Sequence, residues 1–409
     1  MNANSNFLAK GLHLYILLAV VATTLLSWYL VNSLLIILLT GCRLWDGRAP
    51  LNTLRKAFSN PLFLAFFALF LLDVSGFFHT HDPQLVWMHV QRKATLVAIP
   101  FVIAAGPFAD GAGFRRLLWS YCLLLAGLSC WCLGVAVVRY VHTGVTQVFF
   151  YHELTAVLGI NAVYYSAYVL MALVFLLSGA APAGKGRAAL TVFFTAMMIL
   201  LASKLLLVVL VVIYAAYLWR YRSLMTRSRV QGLVLLVVMG MGIVAFTNNP
   251  VVGRYKAIRP KEQSAVAGFN GVSLRLFIWR SAKKILDQEH AWLCGISAGD
   301  SQDRLNQCYL DSGMSVGYLQ YNFHNEYVEV LVDDGLVGLI VFLVAFSVLG
   351  WEARRTMEGI LVLLVIGLLA GTESILEMQQ SVFLACFFPM LPWGLKPRAG
   401  GLIGSPRGQ

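Results

Sequence analysis

The chain has 409 residues, 59% of them hydrophobic and only 12% charged, with a formal net charge of +12 and a mean hydropathy of +0.74. So much apolar surface exceeds what a water-soluble fold of this length can bury, which excludes that class and leaves a multi-spanning membrane protein. The positive charge does not point to nucleic acid, because Lys and Arg gather in short loops (Arg43/Arg48/Arg55/Lys56, Arg115/Arg116, Lys185/Arg187, Arg220/Arg222/Arg227/Arg229, Arg354/Arg355, Lys396/Arg398/Arg407) that alternate with loops poorer in base, the pattern that sets orientation in a bilayer.

Apolar runs near the ~20 residues a span requires, without the two-residue alternation of barrel strands, predict helices. Spans are expected near 12–27, 29–43, 61–78, 94–109, 117–138, 160–179, 188–203, 204–219, 231–247, 328–350, 357–372 and 380–395. These make about twelve transmembrane helices with both termini on the basic, cytoplasmic side. The 12–43 and 188–219 runs are too long for one span and short for two, so half-length, tilted or re-entrant helices are alternatives there. No cleavable signal peptide is expected, since no polar small-residue site interrupts the first apolar run. The expected organisation is nine helices over 1–247, a periplasmic loop domain over 248–325, three helices over 326–396, and a cytoplasmic tail over 397–409.

Three outer segments carry polar chemistry. Residues 79–93 hold His79, His81, Asp82, Arg92 and Lys93, and residues 139–159 hold Arg139, His142, His152 and Glu153 among aromatics. The third, 248–325, contains a helix-like stretch from Ser273 to Gln288 and two cysteines, Cys294 and Cys308. In an oxidising compartment these two would form a disulfide; otherwise they are independent thiols. The loop lacks the CxxC pair and second nearby histidine of a zinc site, and it has no Asp-x-Asp pair to hold a metal on a sugar diphosphate, so no metal is expected and Arg and Lys are expected to meet phosphate charge.

Lys204 interrupts an apolar run at the hairpin between two expected spans. Such a lysine either faces a hydrated cavity or a partner, or snorkels to the interface. Arg275 lies in an amphipathic stretch with Trp279 and Arg280, and its planar guanidinium suits either bidentate phosphate binding or anionic lipid headgroups. His324 and Asn325 close the loop, with Asn322 as a candidate helix cap. Glu326, Glu329 and Asp333 then fall on one face of the entering helix, a stripe that must meet a hydrated cavity or basic partners. Gly335 and Gly338 permit close helix approach. A boundary histidine is either structural or an acid–base group that titrates near neutrality.

His324-Asn325, nine residues, then Gly335-x-x-Gly338, together with the large outer loop before it and about twelve spans, resemble the O-antigen ligase family of Gram-negative bacteria, whose superfamily also holds O-antigen polymerases and some protein O-oligosaccharyltransferases. Family members carry an arginine about fifty residues before the histidine, matched by Arg275, and a Ser-Arg at the outer end of a central span, where this chain has Ser203-Lys204. The lysine keeps the charge and loses the fork. The resemblance implies an all-helical membrane glycosyltransferase (GT-C-like) in the bacterial inner membrane with its site facing the periplasm. It implies transfer of O-antigen from undecaprenyl diphosphate to a hydroxyl of lipid A-core, without a cofactor and with inversion, in which His324 is the base and Arg275 and Lys204 hold the diphosphate. Asn325, Glu326, Arg139 and Arg280 are secondary candidates. A polymerase or oligosaccharyltransferase would share the donor; a lipid-linked glycan transporter is the alternative of another class, although transporters commonly show matching halves, and none is evident here.

Overall fold

Asn and Asp followed by proline mark two helix starts, because the side-chain oxygen takes up orphan backbone N–H groups while proline needs none. Asn60 caps α4 (Pro61–Ser75), accepting from Leu62 N at 2.9 Å, and Asp82 caps α5 (Pro83–Lys93), accepting from Gln84 N at 2.9 Å. The computed structural model describes residues 3–45, 50–106, 111–178, 182, 184–222, 271–314 and 316–394. The expected span at 231–247, the first part of the loop domain at 248–270 and the tail at 397–409 lie outside the described residues. Those that are described form helices, with no strand among them.

The remaining helices are α1 (Ala3–Leu25), α2 (Tyr29–Trp45), α3 (Pro50–Phe58), α6 (Thr95–Ala104), α7 (Gly111–Thr143), α8 (Tyr151–Thr155), α9 (Ala162–Ser178), α10 (Lys185–Leu201), α11 (Lys204–Tyr221), α12 (Gly271–Gln288), α13 (Ser301–Asp311), α14 (Glu326–Ala353), α15 (Met357–Ala370) and α16 (Gln379–Gly394). Helix α9 is apolar all round and buried from Ala162 to Leu176, as befits the centre of a bundle. Its tyrosines bury their rings and donate their hydroxyls to carbonyls elsewhere, Tyr164 to Ser374 O and Tyr168 to Gln380 O at 2.8 Å.

The described residues show fewer full-length spans than the twelve expected over the whole chain. Among the described residues four helical stretches are long and apolar enough to cross a membrane, Pro61–Phe78, Ala112–Thr143, Lys204–Tyr221 and Glu326–Ala353, or up to six if two bent pairs each count as one span. Leu12–Leu25, Met357–Ala370 and Gln379–Leu391 are shorter apolar helices. The stretch expected at 94–109 is shortened to ten residues of helix with Pro100 inside it, and Tyr151–Leu158 folds back at 83° to α9 instead of forming a loop. The run at 188–219 does divide in two, at Ala202, whose left-handed backbone (φ 49°) ends α10.

Helix polarity defines the two ends of the bundle. Arg220, at the C-terminus of α11, pairs with Glu358 in the first turn of α15 at 2.9 Å, and Tyr221 donates to Ser178 O at the end of α9. The C-terminal ends of α9 and α11 and the start of α15 therefore lie together. The opposite end gathers the start of α9, the Ser203–Lys204 turn and the loop after α15.

The loop domain has a core of its own. Ile278, Ala282, Ile285 and Leu286 of α12 pack with Leu305, Cys308 and Tyr309 of α13 and with Phe323 and Val332. The disulfide expected inside it is not formed: Cys294 is an exposed free thiol and Cys308 a buried one. Cys308 belongs to the domain core, where burial pushes its thiol pKa up, whereas Cys294 sits in the segment that docks on α14.

Candidate active site

That docking is built on glycine. Gly335 breaks α14 with φ 66° and ψ −161°, a conformation essentially confined to glycine. A Cβ there would stand 2.4 Å from both the carbonyl carbon and the oxygen of Leu293. The break frees backbone groups for an edge-to-edge contact with the loop domain: Ile296 N to Val332 O (2.9 Å), Ser297 N to Asp333 O (2.8 Å), Leu336 N to Trp292 O (2.8 Å) and Val337 N to Leu293 O (3.2 Å). The expectation of helix–helix approach at Gly335 is thus replaced by docking of a loop on an opened helix. At Gly338 the space of a side chain is taken by that of Asp334.

His324 stands just before α14 in a left-handed conformation (φ 48°), uncommon for a residue with a side chain, with its N–H bonded to Asn322 Oδ1 at 3.2 Å. The cap of α14 is Asn325 rather than Asn322: its Oδ1 accepts from Tyr327 N and Val328 N, and its Nδ2 donates to Gly371 O at 3.2 Å. Trp279 of α12 donates to Phe323 O at 3.1 Å, and the Tyr321 ring stands edge-on to the imidazole at 5.7 Å. The loop domain and α14 together fix this turn.

The imidazole Nδ1 lies 3.1 Å from Glu373 Oε2, and the other oxygen of Glu373 accepts from Arg275 Nη2 at 3.1 Å. Arg275 Nη2 also donates to Thr372 O at 2.9 Å. One carboxylate, only 10% exposed, therefore bridges the histidine and the arginine, which are 49 positions apart in sequence. The Nε of Arg275 is buried without a hydrogen-bond partner. A carboxylate on Nδ1 fixes the imidazole's orientation and its tautomer, leaving Nε2 as the accepting nitrogen.

Glu373 was missed in the sequence, where it opens the short connection between two expected spans. The available signal was a second acidic group nearby, since Glu373, Glu377 and the Gln379-Gln380 pair crowd one turn of an otherwise apolar region.

The acidic stripe of α14 explains how Glu373 is held. Glu326, 1% exposed, accepts from Leu376 N at 2.9 Å, and Glu329 accepts from Ser374 Oγ. The stripe faces backbone and hydroxyl donors of the 371–378 loop. Behind it, Lys93 pairs with Asp73 at 2.5 Å with both side chains buried. His89 Nδ1 lies 3.4 Å from Glu377 Oε1, too poorly aligned for a hydrogen bond but close enough for charge to act. Burial works against both ions, yet the carboxylate raises the His89 pKa above its usual 6.5, and His89 with Lys93 and Arg92 brings Glu377 down to about 2.

The other candidates divide. Lys204 begins α11 behind Ser203, at the end of the bundle that carries Glu373 and opposite Arg220. Arg139 is engaged with Glu153, 2.5 Å to its carboxylate and 3.0 Å to its carbonyl. Arg280 is exposed on α12. Among the described residues no three His, Cys, Asp or Glu side chains are grouped to hold a metal ion.

Residues 188–343 match the family model described as O-antigen ligase. The matched region contains Lys204, Arg275, His324, Asn325, Gly335 and Gly338, and it ends before Glu373. No curated protein matches the chain.

Proposed function

From the O-antigen ligase family domain that this membrane protein carries, we propose that it transfers O-antigen polysaccharide from undecaprenyl diphosphate to a sugar hydroxyl of lipid A-core, at the periplasmic face of the bacterial inner membrane. The observation that carries this reading is the Glu373 carboxylate bridging His324 and Arg275, which sets a general base beside a forked cation at the membrane boundary.

In the proposed reaction the acceptor hydroxyl approaches His324 Nε2, which removes its proton as oxygen bonds to the anomeric carbon. The bond from that carbon to phosphate breaks, and undecaprenyl diphosphate departs with the electron pair. Attack opposite the leaving group inverts the anomeric centre. Glu373 holds the imidazole and stabilises the imidazolium as the proton arrives. Arg275, with its unpartnered Nε, and Lys204 face the charge that develops on the diphosphate, where fixed cations in a water-poor site are worth most. No nucleotide enters, because the diphosphate bond already supplies the driving force.

The test is transfer by purified protein given undecaprenyl diphosphate-linked glycan and lipid A-core, with EDTA in a parallel reaction. Glycan on lipid A-core in both reactions supports the proposal. Extension of glycan on undecaprenyl diphosphate alone replaces it with a polymerase, and activity lost to EDTA and restored by Mg²⁺ overturns the metal-free assignment.

A further inference from the structure

Arg275 has two possible anionic partners in the proposed reaction and reaches only one of them here. Its Nη2 is engaged with Glu373 and with Thr372 O, while its Nε is buried with no partner. Glu373 in turn divides its oxygens, one to Arg275 and one to His324. This arrangement neutralises the charge that the base would otherwise use to stabilise its imidazolium.

Resting on the transfer reading above, we propose that Glu373 is a shared counter-ion which the donor diphosphate displaces from Arg275, so that donor binding hands the carboxylate wholly to His324 and switches on the base. The exchange is chemically balanced. Arg275 leaves a carboxylate for a diphosphate, a second anion with paired oxygens that its fork can grip bidentately, and no covalent bond or proton is lost. Glu373 then keeps one hydrogen bond, to His324 Nδ1, with its whole charge directed at the ring.

The platform under Glu373 is suited to such an exchange. Leu376 N is held by Glu326, Ser374 Oγ by Glu329, Ser374 O by Tyr164 and Gly371 O by Asn325. The carboxylate therefore stays in place when Arg275 leaves, and the guanidinium, 31% exposed on α12, is the mobile member. The other charged and titratable groups around the pair include Tyr321 against the ring, Tyr164 beside Ser374, and Glu326, Glu329 and Lys93 beneath the loop.

The exchange predicts a split that a merely structural residue would not produce. In Glu373→Gln, Arg275 is no longer held back by a competing carboxylate, so donor binding tightens, by about tenfold for one charge-assisted contact released. The same change removes the counter-ion of the base, so kcat falls by about 10²-fold. The experiment measures Kd for undecaprenyl diphosphate-linked glycan and kcat for transfer to lipid A-core, using full-length protein in nanodiscs. Tighter donor binding with slower transfer supports the exchange. Unchanged or weaker donor binding overturns it, whatever happens to kcat. If Glu373→Gln is recovered poorly, Glu373→Ala reads the same split, because it too removes the carboxylate from both partners; unchanged donor binding in that variant overturns the exchange equally. Wild-type protein that transfers no glycan overturns the underlying reading instead, which separates the two failures.

Discussion

Gly335→Ala probes the joint between the loop domain and the membrane helices. The backbone there lies in a region that costs a residue with a side chain about 1–3 kcal/mol, and the new Cβ would meet backbone atoms of Leu293 and Cys294 at 2.4–2.5 Å, which have no rotamer to yield. Relief requires the 292–297 segment to move off α14, and the four backbone hydrogen bonds of the joint contribute about 1 kcal/mol each. The local cost is thus about 5–7 kcal/mol, enough to undock the loop domain while the helical bundle persists. Since His324 and Arg275 are placed through that domain, and a 1 Å displacement can cost ~10²-fold in rate, transfer should fall by about that factor or more. Limited proteolysis of detergent-purified protein, read alongside transfer, checks it: the variant should be cut faster between α12 and α14. Gly295→Ala, whose Cβ would lie 2.2 Å from Asp333 O across the same joint, should behave alike, and the double variant should add little because both break one contact. Wild-type proteolysis and full transfer in Gly335→Ala would refute the reasoning.

Three further predictions follow from the site. His324→Ala should lose transfer by ~10²–10⁴-fold while still binding donor; near-normal turnover in a well-expressed protein would exclude the role of base. Arg275→Lys should impair transfer despite keeping its charge, because the fork is lost, Lys204→Arg should be tolerated, and Lys204→Ala should slow transfer strongly; a fully active Arg275→Ala, Lys204→Ala double variant would remove both from the diphosphate. The His89–Glu377 pair should leave a mark on stability against pH. The raised His89 pKa contributes fully below 6.5 and is lost as pH rises through the folded value, whereas the lowered Glu377 pKa contributes fully above 4.5 and is lost as pH falls towards 2. Thermal stability should therefore plateau between about pH 4.5 and 6.5 and decline on either side, and His89→Gln should flatten the alkaline decline; an unchanged profile would show that the pair contributes little.

Composition pointed to a membrane protein, because the cost of exposing so much apolar surface does not depend on how the chain is arranged, and long apolar runs without two-residue alternation pointed to helices. Local rules placed α12 within two residues of its expected start, and the division of the 188–219 run at its small and polar residues. The His-Asn and Gly-x-x-Gly spacing marked the candidate site. Tertiary structure decided the rest. Gly335 reads in sequence as a helix-packing residue, and only the approach of Leu293, 42 positions earlier, makes it a helix break. Cys294 and Cys308 are near in sequence, but one is held in the docking segment and the other in the domain core. Glu373 had no local signature, since a carboxylate acquires its role from what it touches: His324 and Arg275 come from different elements and meet it only when α12, α14 and the loop after α15 are packed together. Hydrophobic patterning records which residues leave water, whereas the partners of a buried charge are set by long-range geometry.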